Sequence, residues 1–173
     1  MVRAALGPKA SLTRGPRRFA MSIPAASVVA ASMLAMLPIV SEVGWVPDPG
    51  FMLLIAWRLL RGDAIPSWWA APLGFFNDLV TGAPIGLSVM VWTGSMLLLD
   101  LVDRRTMWRD YWIEWLLASG LLFVDLLFRW RLDAMMGAPY PFRLLGPPLV
   151  IAVLAFPLAA WAASAIDRWR LGR

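Results

Sequence analysis

Residues 72–86 read PLGFFNDLVTGAPIG, and their reading decides the fold. Gly74 and Asp78 stand four apart, so on a helix they share one face. A glycine on that face admits a second helix at close range. Gly82, Pro84 and Gly86 then interrupt the run and form a tight turn, from which the next apolar segment leaves. Asp78 is placed to accept hydrogen bonds from turn N–H groups around Gly82 to Gly86, or from the start of the next helix, where an anion is favoured. The local reading is a helix–turn–helix clamp. The functional reading is a buried carboxylate that binds protons or a substrate.

The rest of the 173-residue chain puts this clamp in a membrane. Hydrophobic residues make up 60%, charged residues only 16%, and mean hydropathy is +0.68. A soluble domain carries about 25% charged residues and about 45–50% apolar ones. The chain has no His and no Cys. That excludes Ser-His-Asp catalysis, thiol chemistry, disulfides and the commonest zinc and haem ligands. The net charge of +5 lies between and beside apolar runs. It therefore points to anionic lipid and membrane orientation rather than to nucleic acid.

Outward from the clamp, apolar segments fall at 19–40, 50–60, 65–80, 85–102, 111–130 and 144–166. They predict an all-α integral membrane protein of about six spans, forming one domain over 19–166. A basic, disordered arm over 1–18 precedes it and a basic tail over 167–173 follows. The apolar stretch at 19–40 is long for a signal peptide, whose core runs about 7–15 residues. The segment 50–60 is short. As a helix it reaches about 16 Å, against a hydrocarbon core of about 30 Å. Either it extends back through 45–49, or it forms a re-entrant hairpin with 65–80. Trp45, Trp68, Trp69, Trp108, Trp112, Trp130 and Trp169 lie near segment ends, as an interfacial belt favours.

With the N-terminus inside, the cytoplasmic pieces hold the arm, Arg61, the Arg104, Arg105 and Arg109 cluster, and Arg168, Arg170 and Arg173. Both termini come out cytoplasmic. Arg131 and Arg143 in the third outer loop are the exception.

Charges inside spans need an account. Arg58 either snorkels to the headgroups or pairs with an acid such as Asp78 or Asp125. Arg58, Asn77 and Asp125 are the candidates for an intramembrane polar network. Asp100 and Arg104 are four apart, as are Asp125 and Arg129, and that spacing allows same-face ion pairs. Asp78, Asp100 and Asp125 do not share a depth, since Asp100 falls nearer the inner surface. No phosphate loop, nucleophile elbow or metal-binding carboxylate cluster is present, so no catalytic, cofactor or metal residue is assigned. Ala26 with Ala30, and Ala159 with Ala163, are small-residue faces suited to a partner helix.

The pattern Gly74, Asp78, Gly82, Pro84, Gly86, read with Pro47-Asp48 and the apolar Phe51–Trp57 run, resembles the rod shape-determining MreD family. About 40 residues carry that likeness. The resemblance implies a six-helix fold like that of the substrate-binding subunits of energy-coupling-factor transporters. It implies a non-enzymatic role in the bacterial inner membrane, within the cell-wall elongation complex. The implied partners are a scaffold like MreC, the actin-like MreB, and the glycosyltransferase RodA with its transpeptidase. A small-molecule transporter subunit is the alternative function.

The topology can be tested by reporter fusions or labelling at residues 63 and 137. Position 63 is expected inside and position 137 outside; both on one side would contradict six crossings.

Overall fold

The computed structural model describes residues 22–36, 47–105 and 111–171. The expected arm over 1–18, Trp45, Trp108 and Arg109 lie outside these residues. Among the described residues all regular structure is helical. α1 (Ile23–Met33) runs into a 3-10 turn over Leu34–Met36. α2 is Pro49–Leu60. A 3-10 turn over Ser67–Trp69 leads into α3 (Ala70–Thr81). α4 is Leu87–Arg105 and α5 is Tyr111–Met135. A last 3-10 turn, Phe142–Leu145, opens α6 (Gly146–Leu171).

α2 is the centre. Every residue from Gly50 to Leu59 is buried. A helix that is apolar all round belongs inside a bundle, and α2 packs chiefly against α1 and α6, with α5 and α4 also in contact. Phe51 stacks on Trp92 of α4 at 5.8 Å between ring centroids. Leu54, Ile55, Trp57, Met96 and Leu99 fill the space around them. The short segment at 50–60 therefore does not extend back through 45–49. Asp48 has extended backbone and caps α2 at Gly50 and Phe51, and Pro49 fits the first helical turn. α3 packs mainly on α4 and α1.

Four expected boundaries move. The segment 65–80 becomes a 3-10 turn followed by a 12-residue helix. α4 continues past 102 to Arg105, so Asp103 is helical rather than in a loop. α5 continues to Met135, which makes Arg131 helical as well. α6 continues to Leu171, so 167–171 is helix and not a tail. Asp103, Asp167 and Arg170 each have ion-pair partners in the bundle, and these hold the extended turns in place. Pro157 sits inside α6. Proline removes the N–H that would bond the carbonyl four residues back. That carbonyl, on Val153, accepts the Trp115 indole N–H at 3.3 Å instead.

The polarity is inverted relative to a water-soluble bundle. Arg58, Asn77, Asp78 and Asp125 are buried, while Leu116, Leu154, Leu158 and Trp161 are exposed. Large exposed apolar faces need a non-aqueous neighbour. Two helical stretches, Tyr111–Met135 and Phe142–Leu171, are long and apolar enough to cross a membrane. Trp68, Trp112 and Trp169 are exposed near helix ends, whereas Trp57 and Trp92 are core residues.

α3 and α4 make the most extensive helix–helix contact among the described residues. A Cβ on Gly74 would lie 2.7 Å from the Ser88 carbonyl oxygen and 2.8 Å from the Val89 nitrogen. Both obstacles are backbone, so the helices must separate to admit even a methyl group. Gly74→Ala is expected to destabilise the protein by about 1–3 kcal/mol, the usual cost of overpacking. Thermal unfolding in detergent reads this directly, and an unchanged melting temperature would refute the contact.

Candidate functional site: two buried polar networks

The inward-facing charges gather at the two ends of α2. At the Asp48 end, α2 begins with a capping carboxylate. Asp48 Oδ1 accepts the backbone N–H groups of Gly50 (3.0 Å) and Phe51 (3.2 Å). Its other oxygen accepts Asn77 Nδ2 from α3 at 2.6 Å and Arg129 Nη2 from α5 at 3.0 Å. Arg129 also binds Asp125 one turn earlier, Nε to Oδ2 at 2.9 Å. Ser88 on α4 closes the ring. Its hydroxyl oxygen accepts Asn77 Nδ2 at 3.1 Å and Arg129 Nη2 at 3.4 Å. The network thus ties α2, α3, α4 and α5 together through one guanidinium and one amide.

Asp78 stands beside this ring and serves the turn. It accepts the backbone N–H of Gly86 at 2.8 Å and of Ser88 at 2.9 Å. Gly82 caps α3 at φ +67° and Gly86 enters α4 at φ +103°. Both values lie in the left-handed region that favours glycine. So Gly74, Asp78, Gly82 and Gly86 act as one unit. The first lets α4 approach, the next anchors its N-terminus, and the last two reverse the chain.

At the other end, α2 finishes in Arg58 and Arg61. Arg58 is buried and forks onto Asp100 and Asp103 of α4. Its Nε reaches Asp100 at 3.2 Å, its Nη2 pairs with Asp103 at 2.7 Å, and Nη2 also pairs with Asp100. The Ser67 hydroxyl donates to the second Asp100 oxygen. Arg61 pairs with Asp167 of α6 at 3.0 Å, and Asp167 also binds Arg170 at 2.7 Å. The Arg170 guanidinium lies 5.5 Å from the centre of the Trp57 ring, a cation–π distance. Both ends of α2 therefore carry the charge that its dipole favours, an anion at the start and cations at the finish.

The sequence grouped Arg58, Asn77 and Asp125 together; the structure separates them. Asn77 and Asp125 share the Asp48 network, while Arg58 belongs to the opposite end. Arg58 neither snorkels nor pairs with Asp78 or Asp125, because α4 offers two carboxylates at its own level. The i,i+4 pair of Asp125 and Arg129 forms. Asp100 turns to Arg58, and the side chain of Arg104 lies outside what is described. The sequence reading missed Asp48 as a hub, and with it Ser88, Asp103 and Ser67. The Asp48-Pro49 pair was the available signal, since a capping acid before a first-turn proline marks a helix start. Of the small-residue faces, Ala26 and Ala30 are exposed, but Ala163 is buried and not free for a partner.

Among the described residues no group of three or more acidic side chains is spaced to hold a metal ion. Among the described residues, cavities flank the bundle with mostly apolar linings, one holding Glu114 and another Arg131. One of about 200 Å³ touches Leu60, Trp115 and Phe156; the other, of about 390 Å³, touches Ile85, Met90 and Phe128.

Comparison with protein-family models, with curated proteins and with solved structures yields no match.

Arg129 is the strongest single point of the Asp48 end. Arg129→Met would leave Asp48 and Asp125 without their shared donor, and breaking a buried pair this way costs about 3–5 kcal/mol. Arg129→Lys is expected to recover only part of that, because an ammonium cannot present the planar fork that meets Asp125 and Asp48 together. Thermal unfolding of both variants checks the ranking; equal loss, or none, would contradict it.

Proposed function

We propose that this protein is a non-enzymatic, multi-pass component of the bacterial inner membrane. In this reading it belongs to the cell-wall elongation machinery and is similar in role to MreD. It places six helices in the bilayer, with both termini cytoplasmic, and helps maintain rod shape by scaffolding or regulating lateral peptidoglycan synthesis. Its partners are an MreC-like scaffold, MreB, and RodA with its transpeptidase.

The observation that carries this reading is the Gly74–Gly86 unit. The residues that match the family pattern are the ones that join α3 to α4, through a close backbone approach and a carboxylate clamp. Their role is architectural, as a scaffold requires. The charged groups support the same view, since they are spent on pairing helices to one another. The 12-residue α2 and α3 reach about 18 Å each, well short of a hydrocarbon core. Short helices packed inside longer ones suit a compact six-helix bundle.

Association of helices in lipid depends on packing and hydrogen bonds. The exposed Ala26 and Ala30 of α1 offer a flat face for a partner's membrane helix, and the basic N-terminal residues suit anionic lipid near MreB.

Depletion in the native cell is expected to round it. Ala26→Leu combined with Ala30→Leu is expected to weaken cross-linking to the MreC-like partner in membranes without lowering the melting temperature. Asp78→Asn should act through stability or partner binding, not through a reaction rate. Normal rods after depletion, or undiminished cross-linking from every face, would overturn the proposal.

A further inference from the structure

The Asp48 end holds more carboxylates than cations. Asp48, Asp78 and Asp125 surround one guanidinium, Arg129, which binds Asp48 and Asp125 directly. Two of these acids are fully served. Asp78 accepts two backbone N–H groups at the start of α4. Asp48 accepts two at the start of α2, and one each from Asn77 and Arg129. Asp125 is not. Its Oδ2 takes Arg129 Nε, but its Oδ1 is buried with no hydrogen-bond partner. Asn77 has the same defect. Its Nδ2 donates to Asp48 and Ser88, and its Oδ1 is buried and unpartnered. Asn77 is 0% exposed and Asp125 4%. The amide cannot be turned over to mend this, because its oxygen would then face the Asp48 carboxylate.

A buried acceptor left unmade costs about 1–3 kcal/mol, and here two stand on side chains joined through the same guanidinium. Arg129 Nη2 goes to Asp48 and Ser88, Nε to Asp125 Oδ2, and Asn77 Nδ2 to Asp48 and Ser88, so none of these reaches Asp125 Oδ1. A proton on that oxygen removes the orphan acceptor and one negative charge together.

We propose that this network is a buried binding site for one proton, carried on Asp125 Oδ1. The bond that forms is O–H on the carboxyl. It turns one orphan acceptor into a donor. It also lowers the formal charge of the four ionisable groups from −2 to −1, with the remainder compensated by the N-termini of α2 and α4. The charged groups facing Asp125 are Arg129 on its own helix, Asp48 before α2 and Asp78 on α3; α4 contributes only the neutral Ser88. The inference is independent of any role in the cell wall.

Infrared spectroscopy of the purified full-length protein, with ¹³C-labelled aspartate carboxyls, tests the site at neutral pH. The wild type is expected to show one protonated-carboxyl C=O band. Asp125→Asn should abolish it and keep the melting temperature, since its amide replaces the carboxyl O–H with an N–H donor and keeps the acceptor toward Arg129. Should that variant fail to fold, Asp125→Glu keeps a carboxyl at the site but removes the labelled aspartate, and the ¹³C-shifted band should be lost. A missing band in the wild type, or a labelled band that survives Asp125→Asn or Asp125→Glu, would overturn the proposal. So would a sodium-dependent rise in melting temperature that Asp125→Asn removes, because the ligand would then be a metal cation.

Discussion

A helix surrounded by other helices has nowhere to turn for water, and that constraint organises this protein. α2 is 12 residues long, about 18 Å, and buried from Gly50 to Leu59. Its first N–H and last C=O groups cannot be satisfied within the helix. They need partners that the neighbouring helices must bring. Asp48 meets two N–H groups at one end. Arg58 and Arg61 set positive charge against the carbonyls at the other. Each of these charges then requires its own partner, and the requirement spreads outward until α3, α4, α5 and α6 are all engaged.

The register of α4 follows from this. Ser88 belongs to the Asp48 end and Asp100 to the Arg58 end. Twelve residues of helix separate them, about 18 Å. Asp48 and Arg58 are ten apart, about 15 Å. The two intervals are similar, and α4 can touch both networks only if it lies closely alongside. Gly74 and the Asp78 clamp set where α4 starts, so the family-like motif determines whether the two networks can form together. With the polar groups turned inward, the outer faces of α4, α5 and α6 are left apolar.

Much of this was legible in the sequence, and for stated reasons. Gly74 and Asp78 at helical spacing, followed by Gly82 and Gly86, predicted the clamp because backbone rules are local. The Asp125–Arg129 pair was legible for the same reason. The partners of Arg58 were not. Asp78 and Asp125 were plausible on hydropathy alone, because linear sequence does not say which end of a neighbouring helix stands beside Arg58. The extensions of α4, α5 and α6 past their apolar runs were hidden by their charged residues. Asp103 and Asp167 read as loop or membrane-edge signals, while in the fold each is paired. Asp48 was not read as a helix cap, although the proline after it marked a helix start.

The central claim is that α2 is shielded on all sides while α6 faces lipid. Photoactivatable lipids in reconstituted membranes, with adducts mapped by mass spectrometry, test it on the native chain. Adducts are expected on the exposed face of α6, at Val150, Leu154, Leu158 and Trp161, and none from Phe51 to Leu59. Adducts along Phe51–Leu59, or an unlabelled α6, would contradict the account.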